Sequence, residues 1–195
     1  MRQPIIWSIA ATMVLALPLP AQDKYVGSKR CAQCHGPDAR VNAFHAWEGS
    51  KHAGAYRTLK THSETEARKL GDLELWIVEI GRGVKYGLPR PAAESKECLP
   101  CHVTAFGVDA QLIAPSFDPE DGVQCESCHG PGSAHAESMA AKDVGKAGTG
   151  LKHYDDDRAI EARCRTCHEG TCGDFDFARM WPAIRHAPAI PRSGN

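Results

Sequence analysis

The pattern Cys-x-x-Cys-His occurs four times in this chain of 195 residues, and no other feature limits its fold as strongly. The copies are Cys31-Ala32-Gln33-Cys34-His35, Cys98-Leu99-Pro100-Cys101-His102, Cys125-Glu126-Ser127-Cys128-His129 and Cys164-Arg165-Thr166-Cys167-His168. They use eight of the nine cysteines. Two thiols three residues apart lie on one face of a helical turn. From there both can add to the vinyl groups of one haem, and the histidine that follows can reach its iron; the pattern is that of c-type haem attachment. Zinc knuckles are the alternative. Zinc, however, gives no reason for a histidine directly after each of four cysteine pairs. A disulfide framework fits less well still, because a two-residue gap suits redox pairs better than structural staples.

Residues 1–22 have the pattern of a secretory signal peptide. Arg2 supplies the positive start, Ile5 to Leu17 is apolar, and Pro18-Leu19-Pro20-Ala21-Gln22 offers a small residue at a cleavage site. The apolar run is short for a membrane span, and polar chain follows it. An uncleaved anchor is the other reading of this segment. Export suits the motifs, since haem attachment of this kind belongs outside the bacterial cytoplasm. Residues 23–195 then form one domain. Without Arg2 the 23 basic residues become 22, against 24 acidic ones, a net charge of −2. No basic stripe points to nucleic acid, and no second membrane-spanning run follows the leader. Aromatic residues make up only 7% of the chain, while glycine and proline are frequent. A core of protein alone would be thin. Four porphyrins wrapped by chain would supply the missing interior, so folding should depend on the cofactor.

The expected architecture is mainly α, with short helices and long loops wrapped around four covalently bound haems. Val41, Phe44, Trp47, His52, Tyr56 and Leu59 form an approximately helical stripe over residues 38–60, with a break at Gly49. Ser63-Glu64-Thr65-Glu66 has capping-box spacing and predicts another helix. Leu73 to Ile80 is apolar and is read as helix, Gly81 to Pro91 as a loop, and Val103 to Asp121 as irregular. Ser133 to Lys142 is a short helix, Asp143 to Gly150 a connector, and Asp157 the expected N-cap of a helix over 158–168. Phe175 to His186 is a last short element disturbed by Pro182.

Four of the ten histidines, His35, His102, His129 and His168, belong to the motifs and are the expected proximal iron ligands. His45, His52, His62, His135, His153 and His186 remain as candidates for the opposite faces. Met139 and Met180 are the other possible axial ligands, and methionine there would raise the potential. His135 lies six residues beyond His129, after Gly130-Pro131-Gly132, which turns the chain sharply and carries His135 away from the haem that His129 holds.

These segments resemble the tetrahaem cytochrome c-554 family. The resemblance is carried by Trp47 to Leu59, by Cys98 to Gly107, by Gly122 to His135 and by Glu161 to His168. Lys60 to Glu97 matches poorly, and at the C-terminal end the match rests on Met180 and His186. The resemblance implies haems in stacked pairs, first with third and second with fourth. It implies that His52 serves the Cys125 haem, His135 the Cys31 haem and His186 the Cys164 haem. It gives the Cys98 haem no protein ligand on its distal face; His45, His62 and His153 have no family counterpart. Cys172 is left over, as an unpaired thiol near the fourth haem or one half of an intermolecular disulfide. Asp118–Asp121 and Asp155–Asp157 are read as solvated loops and helix caps rather than docking patches.

Iron held by two histidines has no position for substrate and can only exchange electrons. The chain therefore reads as a periplasmic electron carrier rather than an enzyme. The partners that the resemblance implies are redox proteins: a multihaem oxidoreductase on one side and a quinone-linked or soluble cytochrome on the other. Contact with the membrane would come only through them. The alternatives are a reductase of a small nitrogen oxide such as nitric oxide at one open haem, and a haem-bearing subunit of a filament or larger complex. Intact mass spectrometry of the exported protein is expected to give a chain beginning near Gln22 or Asp23 plus four haem masses. Bound zinc without haem would refute the motif reading.

Overall fold

The structure is a computed structural model that describes residues 22–36, 43–63, 67–70, 73–80, 84–143, 150–169 and 175–186. The signal segment, Val41, Cys172 and most of the 143–150 connector lie outside these residues. The architecture is mainly α. Its helices are α1 (Ser28–His35), α2 (Ala43–Glu48), α3 (Ala55–Ser63), α4 (Leu99–His102), α5 (Cys125–His129), α6 (Ser133–Ala140), α7 (Asp157–His168) and α8 (Phe177–Met180). All are short, and short helices owe their stability to packing rather than to propensity. Among the described residues, no helix is long and apolar enough to cross a membrane.

The break expected at Gly49 is present: α2 ends at Glu48 and α3 begins at Ala55. Asp156 rather than Asp157 caps α7, its side chain accepting a hydrogen bond from the Ala159 amide. Asp118 accepts from the Glu120 amide in the same way, and Lys29 and Lys60 pair with the acidic groups around it.

The larger departure is a three-stranded antiparallel meander: β1 (Ala67–Leu70), β2 (Leu73–Ile80) and β3 (Val84–Leu88), in the order β1-β2-β3. Leu73–Ile80 is thus a strand and not a helix, and β3 occupies part of the predicted 81–91 loop. No helix follows Ser63-Glu64-Thr65-Glu66; the first strand begins at Ala67 instead. Trp76, Ile77, Val78 and Ile80 are residues that favour strands. Leu70 pairs with Leu73 and Ile80 with Val84, and the intervening Gly71-Asp72 has the composition of a tight hairpin.

Buried apolar side chains are few: Val26, Leu59, Leu88, Ala92 and Val103 among the described residues. Leu59 of α3, Leu88 at the end of β3 and Ala92 form one cluster, joined by Tyr56, Ala93, Cys98 and Leu99. This cluster fastens the meander and α3 to the second motif. Several buried groups are polar instead, including Ser28, Thr104, Gln124 and Glu126. All are paired; among the described residues no buried side-chain nitrogen or oxygen lacks a partner. Gln124 accepts from the Ser28 amide at 2.7 Å, donates to the Asp118 carbonyl at 2.7 Å, and its own amide donates to Thr104 Oγ1 at 2.6 Å. With so small an apolar cluster, Leu59→Ala is expected to destabilise the holoprotein by about 2–5 kcal/mol. Thermal denaturation followed by circular dichroism would show this as a lowered Tm, and an unchanged Tm would count against the cluster as the anchor of the second motif.

Candidate functional site

Each motif sits at the end of a helix, with its histidine as the last helical residue: His35 ends α1, His102 ends α4, His129 ends α5 and His168 ends α7. The helical turn puts the two thiols of each motif on one face.

Three of these histidines stand opposite a second imidazole. Ring centroids are 6.1 Å apart for His35 and His135, 6.0 Å for His52 and His168, and 6.0 Å for His129 and His186. A metal–nitrogen bond is about 2 Å and a ring nitrogen lies about 1 Å from its centroid, so two imidazoles on opposite sides of one iron have centroids about 6 Å apart. The observed separations fit a six-coordinate haem iron. The ring planes are 20° apart in the first pair and 54° apart in the other two. A zinc site would need at least three converging ligands, and among the described residues no such group is found.

The His35–His135 pairing coincides with the one the resemblance implies. The other two are exchanged relative to it: His52 faces His168 rather than His129, and His186 faces His129 rather than His168. The backbone accounts for the difference. Val123, just before α5, donates to the His52 carbonyl at 3.0 Å, and Trp47 Nε1 donates to the Val123 carbonyl at 2.7 Å. This clamp holds the His52 backbone beside α5 while its ring faces α7. The turn through Trp181–Ala183 carries His186 back to α5.

His102 is held differently. Its Nδ1–H donates to the Ala55 carbonyl at 3.0 Å; the three imidazole pairs do not include it, and the side chain of His62, a candidate for its opposite face, lies outside the described ones. His129 Nδ1–H donates to the Lys152 carbonyl at 3.0 Å, while the Lys152 amide donates back to the His129 carbonyl at 2.7 Å. An Nδ1–H held by a carbonyl leaves Nε2 unprotonated, the tautomer a metal needs. Burial lowers the pKa of His35, His52, His129 and His168, and for each a neighbouring histidine lowers it further. All four are thereby kept neutral near pH 7.

The motifs fall into a sequence of neighbours. Cys31 and Cys125 share a thiol hydrogen bond, which raises the pKa of the first and lowers that of the second. Cys128 lies within electrostatic reach of Cys164 and Cys167, and His168 of His102. A cavity of about 330 Å³ opens between the second and fourth motifs, lined by Cys101, Cys167, Val103, Phe106, Lys152 and Arg163 among others. His45 and His153 are exposed.

Some positioning groups carry no signal in the spacing of the motifs. Phe175 lies 4.9 Å from the His168 ring, with the planes 18° apart, and Arg165 covers its other neighbourhood at 5.4 Å. Gly122 has φ +72°, and a Cβ there would lie 2.6 Å from the His52 carbonyl oxygen and 3.2 Å from the Ala55 nitrogen.

A helix-borne Cys-x-x-Cys-His whose histidine faces a second imidazole at this distance defines a c-type cytochrome. The sequence profile described as "Cytochrome c554 and c-prime" matches residues 30–130, more than half of the chain, and the chain belongs to that family of cytochromes with covalently bound haem. Cytochrome c-554 of Nitrosomonas europaea is 29% identical over 172 residues, covering 80% of this chain and 63% of that protein. The chain thus spans less than two thirds of that relative's length. No solved structure matches it.

Gly122→Ala is expected to displace the turn from His52 to Ala55. The strained backbone alone should cost about 1–3 kcal/mol, read as a lower Tm. The haem that depends on His52 should also gain high-spin character in its EPR spectrum. A variant with wild-type Tm and spectrum would refute the clamp.

Proposed function

We propose that the protein is a periplasmic tetrahaem electron carrier, exported by its first 22 residues, and that three of its haems are bound by two histidines each. The observation that carries this reading is the set of three imidazole pairs at 6.0–6.1 Å. Cys31 and Cys34, Cys98 and Cys101, Cys125 and Cys128, and Cys164 and Cys167 would hold the four porphyrins. The axial pairs would be His35 with His135, His129 with His186, and His168 with His52. His102 would be the protein ligand of the remaining haem. Haem supplies a centre that gains and loses one electron.

The chain's own residues set the conditions. Two imidazoles on one iron would leave no position there for a small molecule. The Ala55 and Lys152 carbonyls fix the tautomers of His102 and His129 and make those rings better donors. The closeness of Cys31 to Cys125, of Cys128 to Cys164 and of His168 to His102 favours a path from the first motif through the third and fourth to the second. Its ends would meet a multihaem oxidoreductase and a quinone-linked or soluble cytochrome.

A second reading, reduction of a small nitrogen oxide, rests on one observation: among the described side chains the imidazole pairs involve His35, His129 and His168 and not His102. EPR of single variants tests the carrier, and carbon monoxide separates the two readings. His135→Ala, His186→Ala and His52→Ala are each expected to convert one low-spin haem to high spin, a different haem in each case. Low-spin spectra unchanged in all three would refute the pairing. The fully reduced wild-type protein is expected to bind one carbon monoxide per chain, at the His102 haem. None would exclude reduction at an open iron and leave electron transfer alone.

A further inference from the structure

Glu126 occupies a variable position inside the third motif, where any residue would satisfy the spacing. It is only 4% exposed. Its carboxylate accepts three backbone amides: Val26 at 2.8 Å and Gly132 at 2.8 Å on Oε1, and Gly27 at 2.9 Å on Oε2. Gly27 is the N-cap of α1 and Gly132 is the N-cap of α6. Neither helix is capped by its own N-cap side chain. In a capping box a glutamate of the same helix reaches back to the N-cap amide; here one glutamate of α5 does so for two other helices. Those helices carry His35 and His135. The bonds span about a hundred residues of chain on the α1 side and six on the α6 side.

We infer that Glu126 is the positioning residue of the His35–His135 pair: its buried carboxylate holds the starts of α1 and α6 at the separation that sets these rings opposite each other. This rests on the pairing proposed above. The geometry is specific, because Val26, Gly27 and Gly132 are main-chain donors and cannot rotate away as side chains can. Asp23 reinforces the same junction, accepting from Ser133 Oγ at 3.1 Å and from the Ala134 amide at 3.0 Å. A buried carboxylate also opposes the extra electron of a reduced haem, and Glu126 lies within electrostatic reach of both Cys31 and Cys125, so it should lower the potentials of those two haems more than those of the others.

The test compares Glu126→Gln, Glu126→Asp and His135→Ala in the purified holoprotein. His135→Ala first identifies the haem in question as the one that turns high spin; if no haem changes, the pairing itself is refuted, whatever Glu126 does. Glu126→Gln keeps the shape but has one acceptor oxygen in place of two and no charge. It is expected to give a mixture of high- and low-spin signals confined to that haem. It should also shift that haem's reduction equilibrium about tenfold towards the reduced form, about 59 mV for a one-electron couple. If Glu126→Gln yields no holoprotein, Glu126→Asp carries the test. It keeps the charge but is one methylene short, so the same haem should show mixed spin while its potential stays closer to that of the wild type. If the His135-sensitive haem keeps its wild-type spectrum and potential in the variant that matures, or if all haems change alike, the inference is overturned.

Discussion

A chain with few buried apolar side chains has to be held together by something other than a hydrocarbon core. Here the recurring constraint is a pair of imidazoles about 6 Å apart, contributed by segments distant in sequence. His52 and His168 are separated by most of the domain, yet their rings face each other at 6.0 Å. Metal coordination of such a pair would act as a cross-link between helices, and folding and cofactor binding would then become one process. The Leu59–Leu88–Ala92 cluster stabilises one corner only, where the meander and α3 meet the second motif.

Between the cross-links, polar groups do the positioning. Residues 122–132 form the centre. Gly122 allows the chain to press against the His52–Ala55 turn, and the Val123 amide bonds the same His52 carbonyl. Gln124 and Glu126 then satisfy the first amides of α1, groups that every helix leaves without an internal partner. Buried polar networks of this kind are favourable only when every member is paired, and then they specify one arrangement. The same eleven residues therefore connect His52, His102 through the Ala55 carbonyl, His129, and the His35–His135 pair.

This arrangement suits electron exchange. Neutral imidazoles, fixed tautomers and short, well-anchored helices leave little to reorganise when charge changes. The second motif stands apart, since its histidine is not part of any of the three imidazole pairs. The exposed Phe106 lies on the same loop, next to Ala105, whose φ of +59° is uncommon for a residue with a side chain.

The four Cys-x-x-Cys-His motifs were legible in the sequence because their pattern is local: two thiols and a histidine fall within five residues at a helical turn. The short helices at 133–140 and 157–168 were legible for the same reason, from caps and breakers. The meander was not, because Leu73 to Ile80 is an apolar run of a length that periodicity cannot assign, and only pairing with its neighbours made it a strand. The imidazole pairs lay beyond the sequence for a different reason. Six histidines were available, and which one faces which motif depends on how helices far apart in the chain are packed. For His135 the Gly-Pro turn said only that it leaves its own motif; its partner came from the family resemblance. His52 and His186 could not be placed, since the partner of each is set by the Val123 clamp and the 181–183 turn, which no spacing encodes. Glu126 was invisible for the plainest reason: a motif names the residues that touch the haem, whereas this carboxylate acts through main-chain amides that only the tertiary structure brings to it.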